Sequence, residues 1–375
     1  MKKGSMMDWL KLQDELRLKG IDVEDEIENL KKQLEVLDKN SVEMGNVKYR
    51  LGEFYSVIGE WKLALEYFED VLRIRRALLG ESHVDTAYGY EAVGRGYEWT
   101  GNWERSREMY GEALRICRLR LGEDDETVMV CSEIGGVCLD MECYEEALEY
   151  YKEALAMVVT LHGERHTDTA DAYRNVGVAY LGLEELEKAL EMNERALEIR
   201  ESLLGSEHVD TALSYYEIGS IYYCMMEPTL AMDNYQIALR TQLKVLESDD
   251  IDLATTYVGI GQAYLLQKEY QLAIDNFDEA LVSYKGQFDD GDEGFTEVYD
   301  GLGEAYCGLG ELYYANNQLK KAIECMEKGV EYLSNVENPV GVDFVAVYNR
   351  MGDIYFDLKQ EELALKYYNL ASEGI

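Results

Sequence analysis

Proline, histidine and basic residues are scarce in this chain of 375 residues. It has 2 prolines and 4 histidines, and 36 Lys and Arg face 75 Asp and Glu, for a net charge of −39. Few prolines favour long helices, because proline removes a backbone donor. Strong negative charge repels phosphate backbones and anionic membranes, which argues against nucleic acid and membrane partners. It attracts basic protein segments, although the acidity would also serve simply to keep the protein in solution.

Motifs of enzymes, export and redox chemistry are also missing. No P-loop, H-E-x-x-H or G-x-S-x-G motif occurs, so we predict no enzyme activity, no cofactor and no metal. The start of the chain, Met1–Met7, has no apolar signal region, and no apolar run approaches the ~18 residues of a membrane span. The 7 cysteines form no C-x-x-C pair. Buried thiols in a reducing compartment are therefore expected, which predicts a cytoplasmic protein.

A repeat organises the chain. An aliphatic–Gly pair is followed three residues later by an aromatic residue, or by Cys138 in the third copy. Twelve residues after each glycine stands a small residue, and four further on a residue that is usually aromatic. Small side chains at these positions let two helices of a pair approach closely, and the aromatic ring fills the groove against the next repeat. The motif glycines are Gly52, Gly94, Gly135, Gly177, Gly219, Gly261, Gly310 and Gly352.

This pattern resembles the tetratricopeptide repeat, a unit of two antiparallel helices. The resemblance implies an all-α, right-handed superhelical solenoid of about eight helix-turn-helix repeats over residues 41–375. The first six glycines lie 41 or 42 residues apart, whereas the usual period is about 34. Together with turns such as Leu79–Ala87, this spacing is similar to the array of kinesin light chains. There a proline usually follows the histidine of the turn, whereas this sequence has Val84, Thr167 or Val209.

Two regions depart from the regular repeat. Residues 301–314 carry the glycine motif twice, at Gly303 and Gly310. This predicts a first helix of repeat seven with two extra turns, and with them either a protruding helix or a local change in the superhelix. Residues 1–40 precede the array and contain an apolar seam of heptad spacing, which we interpret as an N-terminal capping helix rather than a dimerising coiled coil. The seam consists of Val23, Ile27, Leu30, Leu34 and Leu37.

Two further predictions concern the end of the chain and one loop. The apolar side chains Tyr367, Tyr368, Leu370 and Ile375 are expected to lie uncovered, so the chain is truncated or another subunit covers this end. A homo-oligomer could form through this face or through the N-terminal helix. The acidic loop Asp289–Glu293 lacks the spacing of a calcium loop and is interpreted as a solvated turn.

Three histidines are the most enzyme-like feature. His83, His166 and His208 each stand two residues ahead of an Asp-Thr pair. They are separated by one or two repeats, so the three cannot share a metal ion. We expect the Asp or Thr to cap the following helix, with the histidine packed in the turn.

The concave face is predicted from the position of each residue relative to the motif glycine. Residues three before and one after the glycine, and six before and four after, share one face of the first helix of each repeat. The resemblance also implies asparagines that hold a peptide backbone: Asn349 stands three before its glycine, and Asn175 and Asn46 lie nearby in register. The predicted partner-binding residues are Tyr88, Arg95, Asp171, Arg174, Asn175, Tyr216, Ser220, Tyr223, Gln262 and Asn349.

These observations predict a scaffold or adaptor that binds other proteins. Its groove would accept a peptide or an amphipathic helix with basic or apolar side chains. The alternative is a structural subunit of a larger assembly, held through its ends and through the insertion in repeat seven.

Overall fold

The computed structural model describes residues 22–38, 41–246, 250–287, 293–336, 339 and 342–373. In this part of the chain every regular element is a helix, which confirms the all-α solenoid. The helices are α1 (Val23–Val36), α2 (Val42–Val57), α3 (Trp61–Leu79), α4 (Val84–Trp99), α5 (Trp103–Arg120), α6 (Asp125–Asp140), α7 (Tyr144–His162), α8 (Thr167–Gly182), α9 (Leu186–Leu204), α10 (Val209–Cys224), α11 (Pro228–Val245), α12 (Ile251–Leu266), α13 (Tyr270–Gln287), α14 (Glu293–Ala315), α15 (Leu319–Leu333), α16 (Phe344–Asp357) and α17 (Glu361–Glu373).

The helices from α2 onward pair in sequence, with the even-numbered helix as the first member of each repeat. The chain divides into two compact units, which we call unit 1 (Met1–Ile199) and unit 2 (Arg200–Ile375). Among the described residues, no helix is both long enough and apolar enough to cross a membrane.

Close packing inside each pair explains the motif glycines. A Cβ atom at Gly135 would lie 2.6 Å from the ring of Tyr151, and one at Gly219 would lie 2.7 Å from the ring of Tyr235. The same tyrosine ring is 2.8 Å from the Cβ position of Gly259 in the next repeat. The Tyr235 ring therefore covers the glycine of its own repeat and also packs against the repeat that follows. Only the second of these contacts was expected from the sequence.

The histidine turns differ from the sequence prediction. The histidine itself occupies the N-cap position, and its Nδ1 accepts the backbone N–H of the aspartate two residues later, at 3.1–3.2 Å. The threonine hydroxyl instead donates back to the carbonyl of the turn glycine, at 2.7–2.8 Å. The prediction of an Asp or Thr cap was wrong because the extended backbone of the histidine already places an imidazole nitrogen beside the orphan N–H.

The insertion in repeat seven lengthens α14 to 23 residues, against 16 in α10 and α12. The predicted extra turns are present, but the predicted protrusion is wrong. Phe295, Val298 and Leu302 are fully buried, and the Phe295 ring lies 5.8 Å from that of Tyr284 in α13. These side chains recur every three or four residues and form an apolar stripe that keeps the extra turns packed on α13.

The apolar residues singled out at the two ends of the described chain pack against neighbouring residues of the same unit. Leu30 of α1 is fully buried in the core of unit 1, and the rest of the heptad seam is buried or partly buried against the same core. At the other end, the Tyr367 ring stacks on that of Tyr355 at 5.4 Å, and the Tyr368 hydroxyl donates to Asp353. These tyrosines are therefore not uncovered as expected. Ile375, residues 1–21 and most of the acidic loop, residues 288–292, lie outside the described residues.

Candidate partner-binding surface

Arg95 is the central cation of unit 1. It follows Gly94 on α4, and its Nη2 donates to Oε1 of Glu91, one helical turn earlier, at 2.8 Å. The Arg95 side chain is 34% exposed, whereas that of Glu91 is 11% exposed. Burial lowers the pKa of Arg95, but the charge of Glu91 and the nearby phenol groups of Tyr49 and Tyr110 raise it well above its ordinary value. The guanidinium therefore stays charged at every physiological pH.

Carboxyl groups outnumber guanidinium groups around Arg95. Burial, and next the charge of Glu133, raise the pKa of Glu98 to about 8. Burial, and next the charge of Glu91, raise the pKa of Glu126 to about 7. Such shifts mean that the local field disfavours further negative charge. We call this group, which comes from α2, α4 and α6, the acid cluster: Glu53, Glu91, Glu98, Glu126, Glu133 and Asp140.

Buried tyrosines connect the second helix of a repeat to this cluster. The ring of Tyr110 is fully buried beside Gly94, and its hydroxyl lies 3.0 Å from Glu98 and 3.3 Å from Glu133. It thus bridges carboxyl groups of α4 and α6. Tyr151 lies beside the cluster in the next repeat. Burial raises its pKa, and the charge of Arg174 on α8 acts in the opposite direction.

Unit 2 has a different surface at the equivalent positions. The hydroxyl of Tyr235 donates to Oγ of Ser220 at 3.2 Å, and its ring lies 5.6 Å from that of Tyr216. Burial raises the pKa of Tyr216 and of Tyr223, so both phenols are neutral. Gln262 donates to Glu297 at 2.8 Å and links α12 to α14. In repeats five and six, aromatic and neutral polar groups thus take the positions next to the motif glycines, and carboxylates such as Glu297 lie beside them.

Comparison with protein families identifies the repeat. Tetratricopeptide repeat models match residues 43–119, 124–202 and 210–285, and a further one matches 303–332 and 345–373. The chain belongs to the tetratricopeptide repeat family. The resemblance predicted from the motif glycines is thereby confirmed.

Solved tetratricopeptide repeat proteins share this fold at low sequence identity. The apo form of RapI is 15% identical with a TM-score of 0.62, over 99% of this chain and 96% of that protein. A Rap protein complexed with competence and sporulation factor is 15% identical with a TM-score of 0.53, over 98% and 96%. Kinesin light chain-like repeats from Podosopora anserina are 18% identical with a TM-score of 0.47, over 55% and 99%. No curated protein sequence matches significantly.

The ten predicted partner-binding residues fall in both units of the tetratricopeptide repeat array. In unit 1, Arg95 and Arg174 both lie beside the acid cluster, Tyr88 and Asn175 are half-buried, and Asp171 is exposed. In unit 2, Tyr216 and Ser220 meet at Tyr235, and Tyr223 and Gln262 are half-buried. Asn349 is exposed. Partner contact by these residues stays a prediction.

Most of the acid cluster was missed from the sequence. Glu53 stands one residue after Gly52, so the rule that selected Arg95 would have found it in repeat one. Glu126 and Glu133 stand nine and two residues before Gly135, which the rule does not include. They reach the cluster because α6 packs beside α4, and this neighbourhood becomes visible only in three dimensions.

The raised carboxyl pKa values predict how stability depends on pH. Glu98 and Glu126 hold protons in the folded chain that they lose in the unfolded chain between about pH 4.5 and 8, so stability falls as pH rises through this window. The melting temperature should therefore drop from about pH 6 to about pH 9. Glu98→Gln should reduce this drop, because the amide carries no charge at either pH. Equal drops in Glu98→Gln and in the control Glu104→Gln, an exposed position, would contradict the assignment.

Proposed function

We propose that this tetratricopeptide repeat protein is a non-enzymatic scaffold that binds protein segments with basic side chains, and that the acid cluster of unit 1 is the contact. One observation carries the proposal: five carboxyl groups of the acid cluster act on Arg95, with Asp140 beside Glu98, and burial followed by the charge of Glu133 raises the pKa of Glu98 to about 8. A lysine or arginine from a partner would be attracted to these carboxyl groups.

The pKa shifts give binding a thermodynamic signature. A cationic side chain favours the ionised form of Glu98 and Glu126, so binding releases protons when the free protein still holds them. Affinity for a basic segment should therefore rise as pH increases through the values of about 7 and about 8. An attraction caused only by the net charge of −39 would not change in this range, because exposed carboxylates are already ionised.

Two further features support the proposal. The acid cluster lies on the first helices of successive repeats, where side chains from α2, α4 and α6 meet. A structurally similar Rap protein is known in complex with competence and sporulation factor, so the fold is compatible with binding of another molecule. The low identity limits this likeness to the fold.

Fluorescence anisotropy with a labelled peptide that alternates leucine and arginine provides the test. The full-length protein should bind this peptide and not its leucine–glutamate counterpart, and the affinity should increase from about pH 6 to about pH 8.5. Glu98→Gln/Glu126→Gln should weaken binding at least about tenfold at the higher pH and remove the pH dependence. Loss of these two acids relieves repulsion, so the variant should remain folded.

The matched control is Glu104→Gln/Glu123→Gln, which removes the same charge from exposed positions of unit 1. Its affinity should stay within about a factor of two to three, because exposed charges are screened by salt. Equal weakening in both double variants would assign the binding to net charge and would refute the acid cluster as the contact. Absence of any preference for the basic peptide would refute the proposed partner class.

A further inference from the structure

One of the histidine turns differs chemically from the others. The turns at Leu79–Asp85, His162–Asp168 and Leu204–Asp210 share the glycine, the capping histidine and the aspartate. Only the middle turn begins with a second histidine, where the other two have leucine. The three capping histidines lie repeats apart, and the contact of His162 with His166 within one turn was not predicted from the sequence.

The structure brings these imidazoles together with carboxylates. The rings of His162 and His166 lie 4.6 Å apart, nearly parallel. One ligand atom from each histidine and one from Asp168 all lie within 4.8 Å of one another. Asp125, at the start of α6, lies beside this group, with its Oδ1 2.6 Å from Nε2 of His162.

We propose that His162, His166 and Asp168 form a binding site for a divalent late transition metal, with Zn²⁺ as the best match. Imidazole nitrogen and carboxylate oxygen are ligands that Zn²⁺ prefers, and three protein ligands leave the fourth position of a tetrahedral shell to water or to Asp125. A tetrahedral zinc ion with bonds of about 2.1 Å holds its ligand atoms about 3.4 Å apart. Oδ2 of Asp168 lies 3.4 Å from Nδ1 of His166 and 3.7 Å from Nε2 of His162, close to this spacing.

Two adjustments accompany metal binding. The ion replaces the proton between His162 and Asp125, and these two atoms move apart from 2.6 Å. Nδ1 of His166 accepts a hydrogen bond from the backbone N–H of Asp168 at 3.2 Å in the cap, and this bond is lost when Nδ1 binds the metal. His166 is therefore the weakest ligand. The bound ion would tie the end of α7 to the start of α8, so it would stabilise unit 1 by mass action.

Calorimetric titration of the full-length protein with ZnCl₂ tests the site. We expect saturable binding of one ion and a melting temperature that rises with zinc concentration. His162→Leu installs the residue that the two related turns already carry, so it should fold. It should weaken binding at least about tenfold, because loss of even an outer-shell partner costs about 10–100-fold. It should also abolish the zinc-dependent rise in melting temperature.

The matched control is His83→Leu, which removes a capping imidazole from a turn without a second histidine. It should lower thermal stability and leave zinc affinity unchanged. The chain also has free cysteines, and Cys224 among them is exposed. Titration with Co²⁺ distinguishes binding at a cysteine from binding at the histidine site, because thiolate ligands give charge-transfer absorption. Four results would each overturn the site. They are thiolate absorption at the first equivalent of Co²⁺, undiminished zinc binding in His162→Leu, an equal loss of zinc affinity in His83→Leu, and no saturable zinc binding by the wild type.

Discussion

Replacing Arg95 by methionine is expected to destabilise unit 1 by about 2–3 kcal/mol near pH 8. Removing one member of a buried ion pair typically costs about 3–5 kcal/mol, and the remaining 34% exposure of Arg95 reduces that cost through solvent screening. Methionine keeps most of the packing volume of arginine, so the loss of stability measures the effect of removing the charge. Urea unfolding at fixed pH measures it.

The same substitution should cost much less near pH 5.5. Without the guanidinium, the carboxyl groups of the acid cluster take up protons more readily, and a protonated cluster no longer needs a cation. Arg105→Met is the control. Arg105 pairs with Glu108 on the exposed side of α5, with both side chains more than half exposed, and such pairs contribute about 0–1 kcal/mol. If both arginine variants lose the same stability, or if the loss in Arg95→Met is independent of pH, Arg95 does not neutralise the cluster.

Local signals predicted most of the fold. The motif glycines, with their spacing of 41 or 42 residues, specify both the helix pairs and the points where the helices approach. The extra turns of α14 were also visible, as a second copy of the motif. The burial of these turns could not be predicted, because it depends on the contact of Phe295 with Tyr284. The residues between these two rings show no periodicity that would indicate the contact.

The functional surfaces were less predictable because they combine residues from different repeats. Arg95 could be found from its position beside Gly94, but the fact that it faces a carboxyl excess depends on Glu126 and Glu133 from the next repeat. The pair His162–Asp125 likewise joins the end of α7 to the start of α6. A rule that scores each repeat alone can identify single positions on a face, but it cannot show which charges meet there.

Neighbouring glycines in α6 are expected to respond to alanine with opposite signs. Helix propensity favours alanine over glycine by about 1 kcal/mol at either position. A Cβ atom at Gly136 has ordinary contact only, 3.7 Å from the Tyr151 hydroxyl, so Gly136→Ala should stabilise the protein by about 0.5–1 kcal/mol. At Gly135 the Cβ atom would lie 2.6–2.9 Å from three carbons of the Tyr151 ring.

That ring cannot move aside to relieve the clash at Gly135. Tyr151 is 6% exposed and packs in the core of unit 1, and overpacking of such a core costs about 1–3 kcal/mol. Gly135→Ala should therefore destabilise the protein by about 1–2 kcal/mol after the gain in helix propensity. A double-mutant cycle with Tyr151→Leu identifies the cause: the shorter side chain should remove most of the penalty of Ala at position 135, giving a coupling energy of about 1 kcal/mol or more. Additive effects, or a stabilising Gly135→Ala, would mean that the two helices of the pair can separate slightly, and that glycine at this position is not required by their close approach.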